Sequence, residues 1–377
     1  MEHNTSFERA IYWTRLSVRL VCTWPPPSGA TKWQTTKENI AWSISFVSLL
    51  CLFVPLLHSI YEYRSNFIIV THSTSLCFSC AMSLSKSLTL RLHRKKIQIL
   101  IDEMEEFLKN AQPHEKQILR NNVNRFCMFH CAISFMNYLS SITISMSPFI
   151  LPNQRMPTFA TYPFSIDSGL PMYLIYVHQS IVGLQCSAGL TVDCQVALMM
   201  WFAGARLEIL AEEIKKFKNI KNYSSIVKKH EKLLSYVVRV SGTMCYVAFT
   251  TSCVCGIALI MFCLQLVGNQ PWSVKLQFGP GILVCFINLM VCTWPTENMM
   301  GMCDRIGTNV YSTPWVGMRP ESSRDIIMIL RRSQRPVQVS IGGFLPSLSF
   351  RFYASFLSAV FSYFTTIRLV VMTEADN

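Results

Sequence analysis

The sequence predicts an all-α polytopic membrane protein with seven transmembrane helices, a cytoplasmic N-terminus and an extracellular C-terminus. Three observations predict it. The 377 residues are 51% hydrophobic and only 15% charged, where a soluble chain carries about a quarter charged residues. The sparse charge is gathered into gaps between uncharged runs of the ~20 residues that a membrane span requires. The 34 Lys and Arg alternate from gap to gap between many and almost none.

Residues 7–21 are basic and amphipathic. Ile11, Leu16, Val18 and Leu20 alternate with Arg9, Arg15 and Arg19, so the segment is expected along the membrane surface with its arginines near anionic headgroups. Trp24 and the run Pro25-Pro26-Pro27 end it, since proline cannot continue a helix. The charge-poor runs are 40–60, 65–85, 126–150, 168–205, 240–266 and 276–296, with a seventh from the late 340s to 371. Runs two, three and four are rich in Ser and Thr. They make poor lipid-facing helices, so part of each faces other helices or a cavity.

The orientation follows from Lys and Arg. Five precede the first run, and nine, nine and seven follow runs two, four and six. One lies in each of the loops after runs one, three and five, and Arg368 stands alone at the end. By the positive-inside rule the N-terminus is cytoplasmic and the C-terminus extracellular. A G-protein-coupled receptor, the metabotropic seven-helix alternative, has the opposite layout. The chain also lacks Asp-Arg-Tyr at the end of the third run and Asn-Pro-x-x-Tyr in the seventh. The formal charge of +13 therefore reads as topology and implies no nucleic-acid partner.

The inner loops carry helical periodicity. Ile97, Leu100, Ile101, Met104 and Leu108 recur on one face after run two, as do Leu207, Leu210, Ile214 and Phe217 after run four. Glu212 stands four residues before Lys216, the spacing of a helical ion pair. These apolar stripes need burial, so the helices are expected to extend the spans and pack together. Of the 15 cysteines most lie inside apolar runs, where they read as packing residues and not as a disulfide framework. Cys77-x-x-Cys80 and Cys253-x-Cys255 lack a second ligand pair for zinc. No cofactor is implied. The sequons at Asn4 and Asn222 fall on the cytoplasmic side and are expected to stay unglycosylated.

A basic helical stretch, residues 319–332, feeds directly into the terminal apolar run. Between them stands Arg332-Ser333-Gln334-Arg335-Pro336, and further on Ser362-Tyr363-Phe364-Thr365 and Arg368. This arrangement resembles the C-terminal signature of insect odorant receptors. Glu297 after a membrane run, Tyr311, Trp315 and Gly343-Phe344 follow the family's order. Thr296 stands where the family usually has Ser, and Val316 where it often has Tyr. The resemblance implies a subunit of a ligand-gated, non-selective cation channel that binds small volatile hydrophobic molecules. It implies assembly with the shared odorant receptor co-receptor through a cytoplasmic anchor that holds four subunits in the family, in the plasma membrane of an olfactory sensory neuron dendrite. The chain resembles the tuning subunit and not the co-receptor, because the loop 206–239 has no long insertion. A gustatory receptor has the same architecture, but that family has Thr-Tyr and a later Gln-Phe pair where this chain has Phe364-Thr365 and Arg368-Leu369. The expected organisation is a cytoplasmic N-terminus with its interfacial helix, 1–39; spans one to six with a ligand region in their outer halves, 40–296; an anchor segment, 297–344; and the seventh span with a short tail, 345–377.

On the last span Ser355, Ser358, Ser362, Thr365 and Leu369 share one helix face. A small polar stripe either lines a water-filled path or permits close helix packing. The resemblance implies the pore, with candidate residues Ser358, Ser362, Thr365, Thr366 and Leu369 and the gate near the last two. The outer halves of the other spans supply the odorant-binding candidates Thr71, Thr74, Phe78, Tyr138, Ser141, Ile142, Ser145, Tyr173, Tyr176, Val177, Ser180, Phe278 and Ile282. Cys77 belongs to the same region. The set mixes aromatics, aliphatics and hydroxyls without charge, a lining suited to a small neutral molecule held by burial and oriented by one or two hydroxyls. Asp193, the one acid within a span, is expected to reach the cytoplasmic interface. His72 and His130 are expected as hydrogen-bonded packing residues. Catalysis is not expected: there is no phosphate-cradling glycine loop, no His-Glu-x-x-His and no carboxylate pair within a span.

Overall fold

The computed structural model describes residues 6–150, 154–164, 166, 169–216, 223–267, 272–315, 318–341 and 346–375. Among them the regular structure is helical: α1 (Ser6–Ser17), α2 (Lys32–Glu62), α3 (Phe67–Leu92), α4 (Arg94–Asn110), α5 (Pro113–Ile150), α6 (Leu170–Lys216), α7 (Tyr223–Val267), α8 (Trp272–Tyr311), α9 (Pro320–Ser333) and α10 (Phe350–Ala375). The seven apolar runs fall on α2, α3, α5, α6, α7, α8 and α10. Five helices among the described residues are long and apolar enough to cross a membrane: Lys32–Glu62, Pro113–Ile150, Leu170–Lys216, Tyr223–Leu264 and Gly281–Tyr311.

Local signals set several boundaries. Thr31 opens α2 with a capping box: its side chain accepts the Gln34 amide, and the Gln34 side chain accepts the Thr31 amide. Pro320 sits in the first turn of α9, where a missing N–H costs nothing. Four helices, α5 to α8, run to 38, 47, 45 and 40 residues, well beyond what a span needs. At ~1.5 Å per residue the 47 residues of α6 reach ~70 Å, far beyond the ~30 Å of a hydrocarbon core.

The hub is α6. In its most apolar stretch 78% of the residues are buried, against 22% in α2 and in α5. It packs against α8, α5, α7 and α3, while α2 and α5 keep wide apolar faces exposed. Beyond the apolar runs the overhanging ends form a separate layer. Ile97, Leu100, Ile101, Met104 and Leu108 of α4 are buried together with Leu207, Leu210 and Ile214 of α6. Phe217 lies outside the described residues, as do Asn4, Asn222, Val316 and Gly343-Phe344. Charges tie this layer together. Glu103 accepts from Arg206 at 2.9 Å and Arg239 at 2.7 Å. Glu212 turns to Arg305 of α8 at 2.6 Å and not to Lys216, because the interhelical guanidinium is in reach on the packed face.

The N-terminal segment packs one face on the bundle: Phe7, Val18 and Val21 are buried, and the Phe7 ring meets Phe126 at 6.1 Å and Phe202 at 5.6 Å, while Arg9, Arg15 and Arg19 are exposed. Two expectations are corrected. Lys86 is fully buried inside α3 and is no surface cation of the loop that follows it. Asp193 does not reach an interface: it is fully buried, bound to Lys86.

Candidate functional site

Where α5 and α7 end and α6 and α8 begin, remote from α9, the helices enclose a cavity of about 100 Å³. Its size is comparable with the ~150 Å³ protein cavity that takes benzene. Leu52 of α2, Leu76 and Met82 of α3, Ile144 of α5, Leu190 of α6, Val254 and Phe262 of α7 and Val284 of α8 make the apolar wall. Among the described residues no charged side chain lines it. Thr158, from the connection between α5 and α6, closes one side. That connection is held by the Thr158 amide on Gln179 Oε1 at 3.1 Å and the Thr161 amide on the Pro55 carbonyl at 3.2 Å.

Two hydroxyls of the lining are engaged with the helices themselves. Ser141 Oγ donates to the Gly183 carbonyl at 2.6 Å and lies 2.5 Å from Ser187 Oγ. Ser187 Oγ reaches the Asn137 carbonyl at 2.7 Å. Two amides differ. Asn137 and Asn288 line the cavity at 1% and 0% exposure, and neither side-chain nitrogen nor oxygen has a hydrogen-bond partner among the described residues.

Of the odorant-binding candidates, Ser141 and Ser145 line this cavity. Tyr176 stands behind it, its hydroxyl donating to the Ser145 carbonyl at 2.8 Å, and Ser180 donates to the Tyr176 carbonyl. Ile282 packs among the apolar residues beside Phe262 and Cys285. Thr71 is buried, while Thr74 and Phe78 are half-buried. Tyr138 turns away to the Ser17 carbonyl at 2.6 Å. Ile142, Tyr173 and Val177 are exposed on the outside of the bundle. The Phe278 side chain lies outside the described residues. Helical periodicity alone does not say which face of α5 or α6 turns inward, which is why neighbours such as Ser141 and Ile142 part company. The cavity residues passed over by the sequence reading include Asn137, Asn288, Gln179 and Ser187. The available signal was the expense of an amide inside an apolar span.

One helical turn along from Met82, Leu190 and Cys255 of the lining sit Lys86, Asp193 and Thr251. Lys86 Nζ meets Asp193 Oδ2 at 2.8 Å with both side chains fully buried, and Thr251 Oγ1 donates to Asp193 Oδ1 at 2.9 Å. Just above, α6 approaches α3 closely: a Cβ on Gly189 would stand 2.9 Å from Ser83 Cα. His72 is buried with its ring edge-on to Phe159. His130 departs from its expected hydrogen-bonded role, both ring nitrogens lacking a partner among the described residues.

On α10, Val360 and Phe364 are buried, and Phe356 and Leu357 pack beside them against α7 and α8. Ser355, Ser358, Ser362, Thr366 and Leu369 are exposed on the other side, and Thr365 is half-buried. Thr365 and Thr366 both donate back to the Ser362 carbonyl, at 2.8 and 3.0 Å. The start of α10 is tied to α8: Glu297 Oε2 accepts the Phe350 amide at 3.1 Å.

A sequence model of the 7tm odorant receptor family matches residues 66–361, well over half of the chain. The chain belongs to the insect odorant receptor family. Among its relatives, Odorant receptor 10 of Aedes albopictus is 23% identical over 147 residues, and Odorant receptor Or2 of Anopheles gambiae 20% identical over 144 residues. Each of these matches spans 38% of this chain and 38% of the relative's length. Odorant receptor 30a of Drosophila melanogaster is 20% identical over 67% of both chains. The receptor also shares its fold with the solved olfactory receptor OR5 of Machilis hrabei, with a TM-score of 0.83 over 96% of this chain and 98% of that one at 12% identity. The same protein solved in complex with eugenol gives a TM-score of 0.83 over 97% and 99%, at 13% identity.

Proposed function

We propose that this odorant receptor is a tuning subunit of a ligand-gated, non-selective cation channel. It crosses the plasma membrane of the olfactory sensory neuron dendrite seven times, with a cytoplasmic N-terminus and an extracellular C-terminus, and assembles with the shared co-receptor. A small neutral volatile molecule occupies the cavity between α2, α3, α5, α6, α7 and α8. The observation that carries the reading is that cavity: between six helices, about 100 Å³, and without charge among its described lining residues. Eugenol, the ligand of the structurally similar Machilis receptor, is a compact molecule of that kind. Ligand binding acts by differential affinity for the open arrangement of the helices.

Two further observations support the channel reading. The small polar stripe of α10 points away from its own bundle, as a helix bordering a shared water path requires. The layer built from α4, α9 and the overhanging ends of α6, α7 and α8 supplies an anchor for neighbouring subunits, with bound membrane lipid around the exposed faces of α2 and α5. The experiment is whole-cell current during a broad volatile panel, in cells expressing the receptor with and without the co-receptor. Odorant-evoked inward cation current only with both subunits is expected. Current from this chain alone refutes the heteromeric reading. An N-terminal epitope tag stained on intact cells refutes the orientation.

A further inference from the structure

We infer that Asn137 and Asn288 set the chemical class of the ligand: the cavity favours a small volatile carrying a hydroxyl over a carbonyl compound of the same shape, and both over the matching hydrocarbon. The inference rests on the cavity being the ligand site. Its basis is a contrast within the lining. Three of the six lining serines are spent: Ser141 and Ser187 are bound to the carbonyls of Gly183 and Asn137, and Ser75 to that of His72. The two amides are buried, border the same enclosed space, and keep both the donating nitrogen and the accepting oxygen unpartnered among the described residues.

An amide in an apolar wall is costly unless it is hydrogen-bonded. Four polar atoms stand unsatisfied in this wall, and a hydrocarbon ligand would leave them so. A carbonyl oxygen can accept from an Nδ2 but offers nothing to an Oδ1. A hydroxyl both donates and accepts, so it alone answers both ends of an asparagine. Sites built to hydrogen-bond a ligand group discriminate strongly against analogues that lack it. With no charge among the described lining residues, desolvation disfavours acids and amines.

The test is a broad volatile panel made of matched trios, such as benzyl alcohol, benzaldehyde and ethylbenzene, or hexan-1-ol, hexanal and heptane. Trios are applied to cells expressing the receptor with the co-receptor, with surface protein measured in each case. For active trios the alcohol is expected to be at least roughly tenfold more potent than the hydrocarbon, the aldehyde lying between. Asn288→Leu and Asn137→Leu should each narrow that gap by raising the potency of the hydrocarbon relative to the alcohol. Asn288→Ser, which keeps a hydroxyl in less space, should retain part of the preference if the leucine variants fail to reach the surface. Equal potencies within wild-type trios overturn the inference, as does an order that survives all variants, and either result leaves the odorant reading standing. Silence of the whole panel with the receptor at the surface overturns the odorant reading and the inference with it.

Discussion

Lys86 and Asp193, 107 positions apart in sequence, form an ion pair 2.8 Å long that neither solvent nor lipid touches. Thr251 completes it, so one polar node joins α3, α6 and α7 a turn beyond the cavity. Breaking such a pair leaves an uncompensated buried charge and costs about 3–5 kcal/mol, whereas replacing both partners with apolar groups is often neutral. Lys86→Met and Asp193→Leu should therefore each lower surface expression and the melting midpoint of the solubilised receptor, while the double variant recovers most of both. Additive losses in the double variant would show that the two charges do not depend on one another.

Glu297 of α8 accepts the first amide of α10, which couples the helix bearing part of the cavity wall to the helix proposed to line the pore. A carboxylate at a helix N-terminus satisfies a free N–H and meets the positive end of the helix dipole. Glu297→Ala should cost ~1 kcal/mol. Amide hydrogen exchange over residues 350–353 should rise about fivefold, the factor that corresponds to ~1 kcal/mol. Unchanged exchange there would mean that Ser349, which accepts the Phe352 amide at 3.2 Å, caps the helix by itself.

Cysteines placed on opposite faces of α10 test its role in the pore. Ser362 is exposed and Phe364 is buried in the bundle. In channels opened by odorant, a water-borne thiol reagent should abolish most of the current through Ser362→Cys and leave Phe364→Cys largely untouched. Equal sensitivity at both positions would remove the stripe from the water path.

His230, at the start of α7 and only 5% exposed, makes the cytoplasmic layer sensitive to acid. Burial, and secondarily the Arg332 guanidinium, lower its pKa to about 4. A histidine whose folded pKa lies below its unfolded value of ~6.5 contributes stability that is full above ~6.5. That contribution is lost as the pH falls toward about 4, because the unfolded chain binds a proton that the folded one refuses. The melting midpoint of the solubilised receptor should fall between pH 7 and pH 4.5, and less steeply in His230→Leu. Parallel pH profiles would place the acid sensitivity elsewhere.

The layout was legible where a physical signal is local. Each apolar run falls on a helix, and the stripe Ile97, Leu100, Ile101, Met104 and Leu108 on α4 is buried as its spacing requires. The cavity was legible only in character, apolar with hydroxyls and no charge. Ser141 and Ser145 face it, whereas Tyr173 and Val177, one turn apart on α6, face outward.

What the sequence determined by itself, then, was helix, membrane and family: apolar length, charge alternation and the C-terminal residues 332–368 are properties of single segments. What only the tertiary structure decided is which polar groups meet. Lys86 looked like the first charge of a loop because its compensating carboxylate lies in another helix. The packing of Phe7 on Phe126 and Phe202 was not legible because both are remote in the chain. Asn137 and Asn288 drew no notice until the packing of α5 and α8 brought them to one cavity. Burial energies depend on what surrounds a group once neighbours from distant segments have closed around it, and one-dimensional spacing carries no record of those neighbours.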